Sequence, residues 1–326
     1  MYNLYKSAGG AEVVFNNLKT YSENDITLIY PEDIHEHDFD DFDIIHVHNA
    51  LADQQHFLEY NGSTKLVYDI HAFTLTCPTE LYLCSVLNRY LKKPLTCENC
   101  LGLAGQWFCN KSMSAYIKLA NKADHTIVHS EFMRDFYRNY NPVYLPIPLE
   151  TDKITPHFED EGYLFYTARA SIEKNPSGFM KIVEATGLPA KMAIYGRGLG
   201  MQNIDAIVNN KLDIEVVVDP PSDELFKMYY GARYTVLPYL YSEPFGIAAA
   251  NSLLAGTPLI TFPFGNLCTL GTVTPSTFSD MVRLIQSDPH DRLLDDVRKQ
   301  SLYAHEEHGC ITATEKWDKF YKMVVE

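Results

Sequence analysis

The sequence predicts two α/β domains, each built on a parallel sheet, facing one another across a cleft. Three observations lead there. Apolar segments of strand length alternate with helical stretches in two successive blocks. A segment with two prolines, Val143-Tyr144-Leu145-Pro146-Ile147-Pro148-Leu149, stands between the blocks and leads into a polar stretch, which places the interdomain linker there. The chain's 326 residues suffice for two domains of ordinary size.

Composition narrows the class. Apolar residues make up 46% and charged residues 21%, which is globular rather than disordered. The net charge of -15 argues against a broad nucleic-acid or anionic-membrane face, though a local basic pocket is compatible with it. Met1-Tyr2-Asn3-Leu4-Tyr5-Lys6 has no signal-peptide apolar region. No apolar run approaches the roughly 18 residues of a membrane span. The expectation is a soluble, cytoplasmic protein, in contact with a membrane at most peripherally. Seven cysteines, five of them between Cys77 and Cys109, do not suggest a disulfide framework.

In the first block, Ser7-Ala8-Gly9-Gly10-Ala11-Glu12 opens a helix on which Val14 and Leu18 share a face. Two glycines at a helix start leave amides open to an anion. A strand ahead of them has only Tyr2 to Tyr5 to draw on. Ile26 to Tyr30 reads as a strand. The acidic run Asp38 to Asp43 then reads as a solvated loop, with a D-x-D metal site as its rival. Ile44-Ile45-His46-Val47-His48 is a strand with both histidines on one face, either polar groups at a strand's end or a pair of metal ligands. Lys65 to His71 is a buried strand, and His71 at its carboxyl end lies where open α/β sheets bind ligands. Cys97-x2-Cys100 is a thiolate knuckle. With Cys84 and one of Cys109 or Cys77 it would close a structural zinc site with no open position, five unligated thiols being the alternative. Ala115 to Ala123 is helical. Asp124 to Glu131 passes from strand to helix with Ser130 as the N-cap.

In the second block, Tyr163 to Arg169 is a strand. Arg169-Ala170-Ser171-Ile172-Glu173-Lys174-Asn175-Pro176 sets two cations in a loop ahead of a helix, a fork and a point charge suited to phosphate oxygens. Met192 to Gly198 is a strand followed by a glycine turn at Gly196. Ile214 to Val218 is a strand, Asp223 to Tyr229 a helix, and Arg233 to Pro238 the strand that feeds Ser242-Glu243-Pro244-Phe245-Gly246-Ile247-Ala248-Ala249-Ala250-Asn251. Pro244 has a preset φ and suits a helix start. Gly246 lets a ligand approach the first-turn amides. Glu243 stands at the entrance, where it can accept from hydroxyls. This is a pocket for a polyhydroxy ligand joined to an anion.

The Glu-Pro-Phe-Gly run, with Ala255-Gly256-Thr257-Pro258 after it, resembles the donor-sugar motif of the family-four retaining glycosyltransferases, which have the GT-B fold. The departure is Asn251, where the family has a second Glu that holds the ribose. Further matches fall in order along nearly the whole chain. Gly9-Gly10-x-Glu12 is similar to a phosphate-contacting loop. His71 to Pro78 is similar to a segment whose His sits beside the transferred sugar, with Ala72 in place of an Asp. Arg169 and Lys174 match the cations that clamp the donor diphosphate, and Gly196-x-Gly198 a turn lining the nucleotide. Phe264-Gly265-Asn266 replaces the family's Gly-Gly and acid.

The resemblance implies residues 1–147 as an acceptor-side domain with a cysteine insert at 77–109. It implies 148–310 as the nucleotide-sugar domain and 311–326 as a helix packing back on the first. The activity it implies is metal-independent transfer of a sugar, a hexose foremost, from a nucleotide-diphosphate sugar with retention. The acceptor would be a glycan, a lipid-linked or a small molecule, and no cofactor would be needed for catalysis. His71, Glu243, Arg169 and Lys174 would carry the chemistry. Gly9, Gly10, Gly196, Phe245, Gly246, Ile247 and Asn251 would bind the donor. Each preorganised donor at the leaving group is worth about 3–4 kcal/mol in comparable sites. Rival readings are another reaction of a nucleotide sugar on the same fold, a degenerate transferase that binds without turnover, and glucosylation of modified DNA bases. The acidic balance counts against the last.

Overall fold

The computed structural model describes residues 1, 10–48, 54–77, 80–82, 84, 96–195 and 211–326, and only the backbone of 10, 11, 54, 98, 101 and 103–109. Two compact units emerge: the described residues up to Glu150 together with Glu307–Glu326, and Thr151–Glu306. Expectations for Gly9, for a strand at Tyr2 to Tyr5 and for the Gly196 turn lie outside the described residues.

In the first unit, α1 (Gly10–Tyr21) buries Val14, Phe15 and Leu18. Strand β1 (Ile44–Val47), α2 (Gln54–Glu59), β2 (Lys65–Asp69), α3 (Cys97–Lys122), β3 (His125–Val128), α4 (Glu131–Phe136) and β4 (Val143–Tyr144) follow. The described sheet runs β1-β2-β3-β4, parallel throughout, with Ile45 opposite Leu66 and Tyr68 opposite Thr126. Parallel strands are covered on both faces, and β1 to β3 read accordingly as apolar runs with polar residues at their ends.

One strand expected in this unit is absent among the described residues, and other segments differ in detail. Ile26 to Tyr30 is not a strand: it carries one bridge, at Ile29, whose amide donates to the Met1 carbonyl at 2.8 Å. The helix read over Ala115 to Ala123 reaches further back, and the non-helical Gly102 (φ 65°) separates it from a short helix that starts at Cys97 and is capped by Thr96. The two-proline segment ends beside the boundary between the two units. Val143 and Tyr144 join the sheet, and Leu145 to Leu149 are buried. The carbonyls of Leu145, Pro146, Ile147 and Pro148 accept hydrogen bonds from His129, Trp317, His308 and Asn17.

In the second unit, β5 (Tyr163–Arg169), α5 (Pro176–Thr186), β6 (Ala190–Tyr195), β7 (Ile214–Val218), α6 (Ser222–Tyr230), β8 (Ala232–Leu237), α7 (Ile247–Ala255) and β9 (Leu259–Thr261) come in turn. The sheet is parallel, in the order β7-β6-β5-β8-β9. The chain thus winds outward one way from β5 through β6 and β7, then returns and winds the other way through β8 and β9. The switch point lies between β5 and β8, and ligands of open α/β sheets bind beyond the carboxyl ends of such a strand pair. Short α8 (Leu267–Leu270), α9 (Phe278–Gln286) and α10 (His290–His308) follow, and α11 (Cys310–Val325) lies in the first unit. There α11 buries Trp317, Phe320 and Tyr321 and packs near α1 and β1.

Candidate functional site

The two loops at the switch point are sewn together. Asn175 takes a left-handed conformation (φ 55°), caps α5 by accepting from the Gly178 amide at 3.1 Å, and donates to the Pro238 carbonyl at 2.9 Å. The Leu240 amide donates to the Glu173 carbonyl at 2.8 Å. Tyr166 donates to the Lys174 carbonyl at 3.0 Å, and Tyr239 to the Thr167 carbonyl at 2.7 Å. Loop positions at the carboxyl end of the sheet are thereby fixed by strand residues beneath them.

Within this frame Lys174 and Glu243 meet. Lys174 Nζ donates to Glu243 Oε2 at 2.7 Å and to the Tyr241 hydroxyl at 2.6 Å, over the Tyr239 ring at 4.2 Å. Tyr241 donates to the same Glu243 oxygen. Burial, then the Glu243 charge, holds the Tyr241 hydroxyl well above its usual range, so it remains a donor. The Lys174 and Glu243 side chains keep 12% and 11% exposure, a sheltered pair still open at one edge. Arg169, the expected partner of Lys174, does not join it. Its side chain is 67% exposed and its guanidinium lies 3.6 Å from Glu173, which also accepts from Ser171 at 2.6 Å. It still bears electrostatically on Tyr239 and Tyr241.

The turn that presents Glu243 depends on two left-handed glycines. Gly265 (φ 64°) pairs with Glu243, and a Cβ there would lie 2.4 Å from the Glu243 carbonyl oxygen. Asn266 completes the clasp: its amide donates to the Glu243 carbonyl and its side chain to the Phe245 carbonyl, both at 2.8 Å. Gly246 (φ 98°) opens α7 with no side-chain cap, leaving first-turn amides for an anion. Phe245 is buried beneath the turn. Ile247 and Asn251, four apart, are both half-buried on one helix face.

The first unit holds a second polar cluster, at the carboxyl ends of β1, β2 and β3. Asp69 is sealed, and around it stand His46, His48, His71 and His129. His129 Nε2 lies 3.0 Å from Asp69 Oδ1 and 3.1 Å from Oδ2, with its hydrogen bond to the latter. His48 Nδ1 and His71 Nε2 each lie 3.5 Å from Oδ2, and His46 Nε2 lies 3.6 Å away. His48 Nδ1 and His71 Nε2 share a hydrogen bond at 2.7 Å. His129 Nδ1 donates to the Leu145 carbonyl at 2.9 Å, so Nε2 needs its own proton to meet the carboxylate.

The electrostatics agree with that reading. Burial lowers His129, but Asp69 outweighs it and the net shift is upward. Burial raises Asp69, yet His129 and His71 hold it well below the usual carboxylate range. Burial brings His71 down to about 4 and lowers His46 and His48 too. His71 is the outermost of the ring, with 13% side-chain exposure.

Gly10 opens α1, and the side chain of Cys109 lies outside the described residues. Cys97 and Cys100 are exposed, Cys84 is half-buried and Cys77 buried. Burial and the thiols of Cys77, Cys97 and Cys100 push the Cys84 thiol up. Among the described residues, two groups of three metal-ligating side chains have donor atoms within 4.8 Å of one another: His46, His48 and Asp69, and Asp69, His71 and His129. Neither contains a cysteine. Sequence reasoning missed Asp69, His129, Tyr239 and Tyr241. The signal for Asp69 was its place two residues before His71, on the same strand face. The signal for the tyrosines was their alternation just ahead of Glu243.

Residues 149–270 match the family model described as Glycosyl transferases group 1. No curated protein matches the chain in sequence. Among solved structures, the chain is similar to HepE of Anabaena in complex with UDP, at TM-score 0.71 and 11% identity, over 99% of this chain and 98% of that one. Sucrose-phosphate synthase from Thermosynechococcus elongatus is similar at TM-score 0.63 and 16% identity, over 87% and 74% of the two chains. AviGT4, a glycosyltransferase involved in avilamycin A biosynthesis, is similar at TM-score 0.61 and 14% identity, over 98% and 91%. The architecture is the GT-B fold.

Proposed function

We propose, for a chain of GT-B fold whose residues 149–270 match the Glycosyl transferases group 1 model, that it transfers a hexosyl group from a UDP-sugar to an acceptor hydroxyl with retention. The single observation that carries the reading is the convergence of Lys174, Glu243 and the uncapped start of α7 at the switch point of the second sheet. A cation and helix amides suit a diphosphate, and a carboxylate beside them suits sugar hydroxyls. HepE, similar in fold, is known in complex with UDP and with UDP-glucose.

In this proposal Lys174 neutralises the departing diphosphate, together with Arg169 once it leaves Glu173 and with the amides that follow Gly246. Gly9 and Gly10 of the first unit and Gly196 of the second are assigned to the nucleotide phosphates by the resemblance alone, as His71 is to the sugar. Glu243 accepts from sugar hydroxyls, Phe245 and Ile247 shape the wall, and Asn251 meets the ribose through its amide in place of a carboxylate. The diphosphate needs no metal, because cations and amides of the chain supply the charge. The acceptor is a glycan, a lipid-linked or a small molecule, and the setting is cytoplasmic. No helix among the described residues is long and apolar enough to cross a membrane. A structural zinc on Cys84, Cys97, Cys100 and one of Cys77 or Cys109 belongs to the same proposal.

A second reading, a binding protein without turnover, is favoured by Asn251 at the ribose position. Product analysis of UDP-sugars incubated with and without acceptors separates the two. Turnover of any nucleotide sugar removes the binding-only reading, and hydrolysis or epimerisation without transfer removes the first.

A further inference from the structure

We propose that the histidine cluster of the first unit is a binding site for one divalent transition-metal ion of the zinc class, held by Asp69, His46 and His48, with His71 and His129 against the same carboxylate. The inference stands on this unit alone and does not depend on the transferase reading.

The cluster is incompletely satisfied. His46 Nε2 is buried with no hydrogen-bond partner; His48 Nε2 and Asp69 Oδ1 also lack one, though His48 meets Asp69 through Nδ1 and Asp69 Oδ1 lies 3.0 Å from His129 Nε2. The exposure of the His46, His48 and Asp69 side chains is 2%, 0% and 0%, so bulk solvent does not reach them. His46 Nδ1 is hydrogen-bonded to the Tyr321 hydroxyl at 2.8 Å, so in either tautomer Nε2 faces Asp69 from 3.6 Å, too far for a hydrogen bond. A buried polar atom left in this state costs about 1–3 kcal/mol.

The spacings fit an ion. Zinc bonds to imidazole nitrogen and carboxylate oxygen run about 2.0–2.2 Å, which puts tetrahedral neighbours about 3.3 Å apart. His48, His71 and His46 lie 3.5, 3.5 and 3.6 Å from Asp69 Oδ2. The His48–His71 contact at 2.7 Å is a shared proton, which an ion would displace to solvent. Ligating histidines characteristically anchor their second nitrogen on a protein oxygen, as His46 does on Tyr321, and ligating carboxylates are themselves hydrogen-bonded, as Asp69 is by His129. Imidazoles with one carboxylate select zinc, iron, copper or nickel rather than magnesium or calcium. His71, the exposed member, gives the ion its entry.

The test uses the full chain with Cys84, Cys97, Cys100 and Cys109 changed to Ser, stripped with a chelator and titrated with Co2+. The expected result is one bound equivalent with the ligand field of a nitrogen–oxygen site and no thiolate charge transfer. H46Q and H48Q, with circular dichroism to confirm folding, should each weaken binding at least 10-fold. Pulsed electron paramagnetic resonance of Cu2+ on the wild-type chain needs no histidine variant and should detect at least two imidazole nitrogens. Absence of stoichiometric Co2+, indifference of its affinity to both substitutions, or a Cu2+ spectrum without multiple imidazoles would overturn the proposal.

Discussion

Each unit gathers polar residues at the carboxyl ends of adjacent parallel strands, yet the two clusters differ in kind. Beyond β5 and β8, Lys174, Tyr241 and Glu243 satisfy one another and stay partly exposed. Beyond β1 to β3, a sealed Asp69 is ringed by four histidines, and buried polar atoms go without partners. The first cluster can trade a protein partner for a ligand: Lys174 can exchange the Glu243 carboxylate for a phosphate, freeing Glu243 for hydroxyls. The second is closed to solvent except at His71. Adjacent strand ends make either kind of cluster, and the partners that the polar atoms find decide which.

The comparison breaks first at Lys174. Lys174→Ala should lower kcat/KM for sugar transfer by about 100- to 1000-fold, the scale for losing one preorganised charge donor. Full activity in a folded variant would end the claim that this cluster meets the leaving group.

A second contrast is pH. His308 of the first unit is buried, donates from Nδ1 to the Ile147 carbonyl at 3.2 Å, and is lowered by burial to about 4. Its folded value lies below its unfolded one, so the unfolded chain binds more protons between them. Its contribution is complete above about pH 6.5 and is lost as pH falls toward 4, about 3 kcal/mol in all. Denaturant titrations across that window should show the loss, and His308→Gln should flatten the slope. An unchanged slope would remove His308 from the account.

Smaller effects sharpen the picture of the Lys174–Glu243 cluster. Gly265→Ala meets both a left-handed backbone and the Glu243 carbonyl, and should cost about 1–3 kcal/mol by thermal unfolding. An equal stability would show that the clasp around Glu243 gives way easily. Tyr241→Phe removes one hydroxyl between Lys174 and Glu243 and should cost about 1 kcal/mol, with KM for the donor moving more than kcat. A kcat change alone would place Tyr241 elsewhere in the reaction.

Much of the second unit was legible because its chemistry is contiguous. Glu243 to Gly246, the helix behind them and the strand Leu259–Thr261 carry local signals that tertiary structure does not override. Lys174 was legible too, from its loop. Its pairing with Glu243 was not, since that rests on the order in which β5 and β8 lie side by side, as does the turning of Arg169 toward Glu173. In the first unit His46 and His48 read as strand-end polar groups or a metal pair, and His71 as a separate strand-end site residue. Only the register of three strands, with α11 supplying Tyr321, brings them around Asp69. The buried course of Leu145 to Leu149 was hidden similarly: prolines mark a break in hydrogen bonding, but not whether side chains from elsewhere will use the exposed carbonyls.

The account rests on the second unit gripping a sugar through its diphosphate, and calorimetric titration with UDP-glucose and with UDP reads this directly. Both ligands should bind the wild-type chain at one per molecule. Lys174→Ala should weaken both, whereas Glu243→Gln should weaken UDP-glucose and leave UDP nearly unchanged. Failure of the wild-type chain to bind any of a panel of nucleoside-diphosphate sugars, or equal affinity in the Lys174→Ala chain, would contradict it.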